Sequence, residues 1–373
     1  MRIAFLSGGI DSSTIVALLQ ASSPRPVKTF TVGFEQAGYN EAEHARRIAD
    51  YLGTEHTTFQ VSANDALAVI PRLPQLYDEP FADTSQIPTF LLCQCARQQV
   101  TVALSGDAGD ELFGGYSTYL WATRLWNKLG YLPFPLRKLL SAAMCSIPVQ
   151  SWNQLAGGHS QRTGENLHKL ANGMRHSHQL EDFFLSLSSH WQSPEQLVVG
   201  VQPQPAWQAN WLSSAGTEAE HAMMLQDSLT ELPDDILCKI DRAAMGNSLE
   251  TRIPMLDHRV VELAWRLPLS MKIRDGQGKW ILRQLLYQHV PAELVDRPKQ
   301  GFNVPLADWL RGDLRAWAEA QLDSTRLQRE GYLHAPLVRR HWQDFLAGRG
   351  HHAQPLWNVL MFQAWLEHWQ HPA

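Results

Sequence analysis

Ser7-Gly8-Gly9-Ile10-Asp11-Ser12-Ser13 is a run of residue types suited to phosphate. Two adjacent glycines let a backbone turn tightly and approach a ligand. If a helix starts there, its free amides and the hydroxyls of Ser7, Ser12 and Ser13 make an anion cradle. Asp11 in that cradle repels phosphate unless a cation lies between them. The pattern therefore predicts Mg²⁺ bridging carboxylate and phosphate. The run has neither the Gly-Lys-Ser/Thr ending of a Walker loop nor Gly-x-Gly-x-x-Gly. Taken alone, it also fits an ordinary βα turn capped by Asp11 or Ser12. The second run is Ser105-Gly106-Asp107-Ala108-Gly109-Asp110-Glu111-Leu112-Phe113-Gly114-Gly115-Tyr116. Asp107, Asp110 and Glu111 crowd three acids among glycines, which no core tolerates. A solvated turn would not need Gly106, Gly109, Gly114 and Gly115 as well.

Both runs follow strand patterns. Ile3-Ala4-Phe5-Leu6 is a short apolar run ending at the first motif, and Ser12–Gln20 reads as the helix after it. Thr29–Val32 is β-branched and aromatic, a second strand. Glu41–Leu52 is helical, His56–Val61 a third strand, and Ala63–Leu73 and Pro88–Gln98 are helices. Val100–Leu104 is a buried strand leading directly into the second motif. Strands alternating with helices predict an α/β fold with a doubly wound parallel sheet, whose ligand crevice lies outside the carboxyl ends of its strands. After about Leu120 the strand signal stops. Residues 121–225, rich in Trp, Gln, His and Ser, read as a variable helical layer, and 226–373 as a helical part completing the site. No flexible linker stands out, so the halves are expected to pack as one body.

Composition narrows the classes. At 373 residues the chain allows roughly two or three domains of about 100–200 residues. With 44% hydrophobic and 18% charged residues it can bury a sizeable core, which excludes wholesale disorder. Its net charge of −5 argues against a protein that coats nucleic acid. Leu129–Val149, the most membrane-like stretch, is broken by Arg137, Lys138 and three prolines. No signal peptide is read near Met1, so a cytoplasmic location is expected. Cys93, Cys95, Cys145 and Cys238 lack zinc spacing and read as free thiols. His351, His352, His368 and His371 read as surface residues.

Together the motifs resemble a known family. Ser-Gly-Gly-Ile-Asp-Ser looks like the pyrophosphate loop of the ATP pyrophosphatases, of the adenine nucleotide alpha hydrolase-like type. The second run looks like the Ser-Gly-Glu/Asp-x-x-Asp-Glu-x-Phe-x-Gly-Tyr signature of the asparagine synthetase family. Leu232–Arg242, Ser248–Asp257, Lys279–Arg283 and Arg297–Phe302 are similar, in order and rough spacing, to that family's synthetase domain. The likeness covers most of 1–120 and 226–312. Glutamine-dependent members carry an N-terminal glutaminase domain with a nucleophilic Cys after Met. Here residue 2 is Arg2 and the earliest Cys is Cys93, so glutamine hydrolysis by that route is not expected.

The resemblance implies ATP activation of a carboxylate, with aspartate the first candidate, followed by attack of ammonia. ATP and Mg²⁺ are the implied cosubstrate and metal, a small acid and ammonia the implied partners, with a separate glutaminase as a possible ammonia source. Ser7, Gly8, Gly9 and Ser12 would hold the β- and γ-phosphates. Asp11 and Asp110 would place Mg²⁺. Leu6 and Val32 would flank adenine and ribose, and Ser105 and Gly106 would contact the nucleotide from the other side. Asp107 stands where some members have Glu and would handle the proton of the attacking nitrogen. Lys299 would face charge on the α-phosphate and acyl oxygen. Lys279 fits either phosphate contact or a solvated helix lysine. Glu250, Arg252 and Asp257 fit either a buried brace or direct substrate contact. Relatives that close a ring or amidate another acid, and a non-catalytic partner subunit, are the competing readings. A tRNA-modifying relative shares the first motif, but the net charge and the second motif argue against it.

Overall fold

The computed structural model describes residues 3–34, 42–155, 163–191, 193–201, 218–296, 304–349 and 353–370. They form two compact units. One comprises Met1–Glu79, Asp83–Ser117 and Glu220–Val304; the other Pro80–Ala82, Thr118–Ala219 and Pro305–Ala373.

The first unit holds the expected parallel sheet and helices. Its elements are β1 (Ile3–Phe5), α1 (Ile10–Ala21), β2 (Lys28–Phe34), α2 (Ala42–Leu52), β3 (Glu55–Val61), α3 (Ala63–Val69), α4 (Gln86–Arg97), β4 (Val102–Leu104), α5 (Gly109–Phe113), α6 (Cys238–Met245), β5 (Glu250–Arg252) and α7 (Trp280–Leu286). The strand order is β3-β2-β1-β4-β5, with every pairing parallel. Ala4 faces Thr29 on one side and Leu104 on the other. Every residue of β1 is buried, as a strand covered on both faces requires. The order reverses between β1 and β4, and at such a switch point an α/β sheet opens its crevice. The two glycine motifs follow these two strands.

β5 was not expected from the sequence. Glu-Thr-Arg is three residues long and mostly exposed, so it has no apolar alternation to mark it. It forms because the backbone is free to pair: Ala103 faces Thr251, the Glu250 amide donates to Thr101 O at 2.9 Å, and the Ser105 amide to Arg252 O at 2.9 Å. Helix Ala63–Leu73 is shorter than expected. It ends at Val69 and passes through a 3₁₀ turn at Ile70–Arg72, where Pro71 lacks the amide an α-helix needs.

Ile15, Val16, Leu112, Leu282 and Leu286 share one buried cluster with Leu6 and Ala45. Burying each such side chain contributes roughly 1.5–3 kcal/mol. This cluster fixes α1, α5 and α7 on the sheet, so all three helices that carry site residues lie on one core.

The second unit is helical in its described residues, and its aromatics explain the Trp-rich composition. Tyr119 stacks on Phe184 at 6.2 Å and Trp126 lies 5.5 Å from Phe183. The Arg137 guanidinium sits 5.0 Å from the Trp126 ring and donates to Ser177 O at 3.0 Å. Trp342 is fully buried with its indole N–H on Glu319 at 2.7 Å. No helix among the described residues is long and apolar enough to cross a membrane.

Candidate active site

The turn after β1 is held by its own hydroxyls. The Ser7 amide donates to Ser12 Oγ at 3.2 Å, the two hydroxyls bond at 2.9 Å, and the Gly9 amide donates to Ser7 Oγ at 3.3 Å. Gly8 has φ +77°, a left-handed conformation that glycine adopts without a Cβ penalty. Gly9 caps α1 and Asp11 lies in its first turn, where a negative charge suits the helix dipole. Leu6 follows β1 directly and Val32 lies within β2, two residues before its end, both buried, with the Leu6 amide on Phe30 O at 2.9 Å.

The turn after β4 comes against the first one. A Cβ on Gly106 would lie 2.7 Å from the Ser12 amide nitrogen, so only glycine lets the two loops touch. Ser105 is buried and donates its hydroxyl to Asp107 at 2.6 Å. Asp107 is half-buried. Desolvation pushes its carboxyl above the usual range, against the Ser105 bond and the charge of Lys239, while Asp110 adds to the rise. Glu111 is buried and pushed up to about 7 by desolvation, although Tyr116 donates to it at 2.6 Å.

Lys279 joins the two turns. Its side chain is only 7% exposed, and its ammonium bonds Asp11 and lies 2.8 Å from Asp110 Oδ1. The solvated reading of this lysine is overturned. Burial favours its neutral form, but the two carboxylates outweigh burial and hold it charged. Its backbone is in the left-handed region at φ 57°, the cap of α7, with its amide on Phe113 O at 3.0 Å. A Cβ on Gly115 would overlap both the Lys279 stem and Asp110, and one on Gly109 would overlap Asp11. Gly109 and Gly115 are thus walls of this acid–lysine–acid contact. Ala108, at φ 70°, is a second non-glycine residue held in the left-handed region here. Such strain persists only where surrounding structure imposes it.

A second charged cluster had no role in the sequence reading. Lys239, on α6, bonds Asp83 at 2.6 Å, and Ser85 clamps the same carboxylate through its amide at 2.9 Å and hydroxyl at 2.6 Å. Desolvation raises Asp83, but Lys239 and Ser85 outweigh it and hold the carboxyl below the usual range. Asp235 lies in the π-helical segment Leu232–Leu237 that leads into α6, one turn before Lys239. Desolvation, then Asp83, pushes Asp235 up to about 7, and Glu231, hydrogen-bonded to it, is also raised by desolvation. The sequence signal was the i, i+4 spacing of Glu231, Asp235 and Lys239 on one helical face. Asp83 left no such mark.

Arg252 pairs with Glu250 at 2.7 Å and Arg259 with Asp257 at 2.9 Å, all largely at the surface, so Glu250, Arg252 and Asp257 are not a buried brace. Lys299 lies outside the described residues, as do His351, His352 and His371. His368 is exposed, and the four cysteines are free. No cluster of three or more His, Cys, Asp or Glu residues among the described ones could hold a metal. Asp11 and Asp110 remain a two-carboxylate pair converging on one cation. Hard oxygen donors of this kind suit Mg²⁺, which takes one or two protein carboxylates and fills its other positions with water and phosphate.

Comparison with known proteins bears on the family. The asparagine synthase family model matches residues 3–367. A putative asparagine synthetase (glutamine-hydrolyzing) of Mycobacterium bovis is 35% identical over 97% of this chain and 54% of its own length. Asparagine synthetase (glutamine-hydrolyzing) 1 of Bacillus subtilis is 31% identical, covering 97% of this chain and 55% of its own length. Amidase chyE of Penicillium rubens is 24% identical over 83% of this chain and 50% of its own length. The chain spans about half the length of these curated relatives.

Proposed function

This chain belongs to the asparagine synthase family, and from that premise we propose that it joins ammonia to a carboxylic acid, aspartate first among the candidates, driven by cleavage of ATP. A carboxylate oxygen attacks the α-phosphorus, the bond to the β-phosphate bridge breaks, and pyrophosphate leaves. Ammonia then attacks the acyl carbon, the bond to the AMP oxygen breaks, and the nitrogen sheds a proton.

The observation that carries this reading is the meeting of the two turns at the switch point of the sheet, with Lys279 tying Asp11 to Asp110. Ser7, Gly8, Gly9 and Ser12 hold the β- and γ-phosphates against the start of α1. Leu6, just past β1, and Val32, near the end of β2, flank adenine and ribose, and Ser105 and Gly106 approach the nucleotide from the β4 side. Asp11 and Asp110 are the residues that would hold Mg²⁺, which when bound neutralises the charge of the departing pyrophosphate. Asp107 takes the proton from the attacking nitrogen at its carboxylate. A carboxyl raised by desolvation is a stronger base than an exposed one. Lys299 offers its ammonium to the acyl and α-phosphoryl oxygens.

The test is ATP–pyrophosphate exchange by the purified chain over a panel of acids, beginning with aspartate, with products separated by ion exchange. AMP and pyrophosphate are expected once the right acid is present, with free ammonia completing the amide. ADP and phosphate as the only products would overturn the proposal. The likeness to an amidase favours one second reading, in which the same chemistry acts on a different acid. Exchange with another acid, and none with aspartate, selects it.

A further inference from the structure

We infer that Lys279 is a positioning residue that occupies the metal seat: it holds Asp11 and Asp110 together and keeps the pair closed to a divalent cation until nucleotide phosphate draws the ammonium away. This rests on the reading of Asp11 and Asp110 as the magnesium pair.

The geometry leaves no room for both cations. The ammonium bonds an Asp11 oxygen and lies 2.8 Å from an Asp110 oxygen. Mg²⁺ demands its oxygens at about 2.0–2.1 Å in a near-octahedral shell. An ammonium between the two carboxylates fills that space and repels the incoming charge. On its Gly115 side the lysine has no space to move into. Gly115 lies against its stem, and with the lysine side chain 7% exposed, water cannot replace the carboxylates around it. Its backbone is pinned, with the amide on Phe113 O at 3.0 Å and the carbonyl accepting from the Arg283 amide at 2.9 Å. The motion left is a swing of the side chain alone. A buried ammonium leaves two carboxylates only for a comparable anion, and under the proposed chemistry the anion that arrives is the triphosphate. Removing the ammonium therefore opens the seat before any nucleotide binds. Site-to-site coupling of this kind typically changes affinity roughly 5–150-fold.

The experiment titrates the whole chain with Mn²⁺ in the absence of nucleotide, following free Mn²⁺ by electron paramagnetic resonance. Wild type should bind weakly, and Lys279→Met about tenfold more tightly or better. Adding Asp11→Asn to Lys279→Met should erase the gain, which a merely structural lysine would not do. Circular dichroism checks the fold; if Lys279→Met does not fold, Lys279→Gln, which keeps a polar tip, carries the same comparison. A folded lysine variant that binds Mn²⁺ no more tightly than wild type overturns the inference. So does a gain that survives Asp11→Asn. The exchange assay on wild type stands apart: AMP and pyrophosphate formed with Mg²⁺ would keep the activity reading even if the Mn²⁺ titration sank this one. Absence of those products would remove the activity reading while the titration still decided the seat.

Discussion

Lys279 and Lys239 each lie between two acids of the first unit, and the two neighbourhoods balance charge by different means. The acids of Lys279 come from the first turns of α1 and α5, far apart in sequence, and glycines wall them in. Lys239 has one acid, Asp235, on its own helical run and another, Asp83, from the segment before α4, with Glu231 beside them. Around Lys239 the surplus is met by protons: Asp235 is pushed up to about 7 and Glu231 is raised. Around Lys279 the balance is an ammonium against two carboxylates at the mouth of an anion-binding turn. A cluster that settles itself with protons holds structure together. One that settles itself with a single movable cation is arranged to exchange it. Asp107 responds to both, through Lys239 on one side and Asp110 on the other.

The largest effect is expected where the two neighbourhoods meet. Asp107→Asn should lower amide formation by about 10²–10⁴, or roughly 3–5.5 kcal/mol, with nucleotide affinity by calorimetry nearly unchanged. Asp110→Asn should instead impair pyrophosphate formation. The reverse pattern would break the separation of roles. Next comes stability. Lys279→Met leaves two carboxylates facing each other and should cost roughly 3–5 kcal/mol at pH 7, read by urea unfolding. Lys239→Met should cost less, about 1–3 kcal/mol, because Asp235 and Glu231 can take up protons; equal losses would erase the contrast. The smallest effect is a pH signature. The folded carboxyl of Asp235 titrates near 7 and its unfolded one near 3.8. Between those values the folded state keeps a proton that the unfolded state has lost. Wild-type stability should therefore fall as pH rises through that window and level off above 7. Asp235→Asn should shrink the fall, with Glu111 supplying the rest of it, making the variant more stable by about 1 kcal/mol at pH 8 and little different at pH 4, a figure kept low because Asp235 is partly open to water. Parallel thermal unfolding curves at both pH values would refute it.

The sequence made β1 to β4 legible because each is an apolar or β-branched run ending at a turn signal. β5 was hidden because a short edge strand of Glu, Thr and Arg is held by backbone pairing, which leaves no side-chain pattern. Ser7–Ser12 and Ser105–Asp110 stood out because glycine beside acid is costly unless a close approach demands it. Lys279 stayed ambiguous for a different reason. Nothing in a lysine's identity records a left-handed cap or a buried ammonium, though Gly278 beside it and Gly114-Gly115 upstream were the available hint. Asp83 and Lys239 are 156 residues apart, and no local spacing reports a contact of that range.

The sheet's last pairing also fixes an order of events at the ribosome. β4 and the loop bearing Asp107 and Asp110 emerge long before β5, which anchors that loop through Arg252 O and the Ser105 amide. Until residue 252 is made, β4 is an open edge of the kind that recruits stray strands, and non-local pairing of this sort is slow. Lys279 follows later still. During synthesis Asp11 and Asp110 therefore wait without their ammonium, and β4 waits without its neighbour, so the site is the last part of the first unit to be completed.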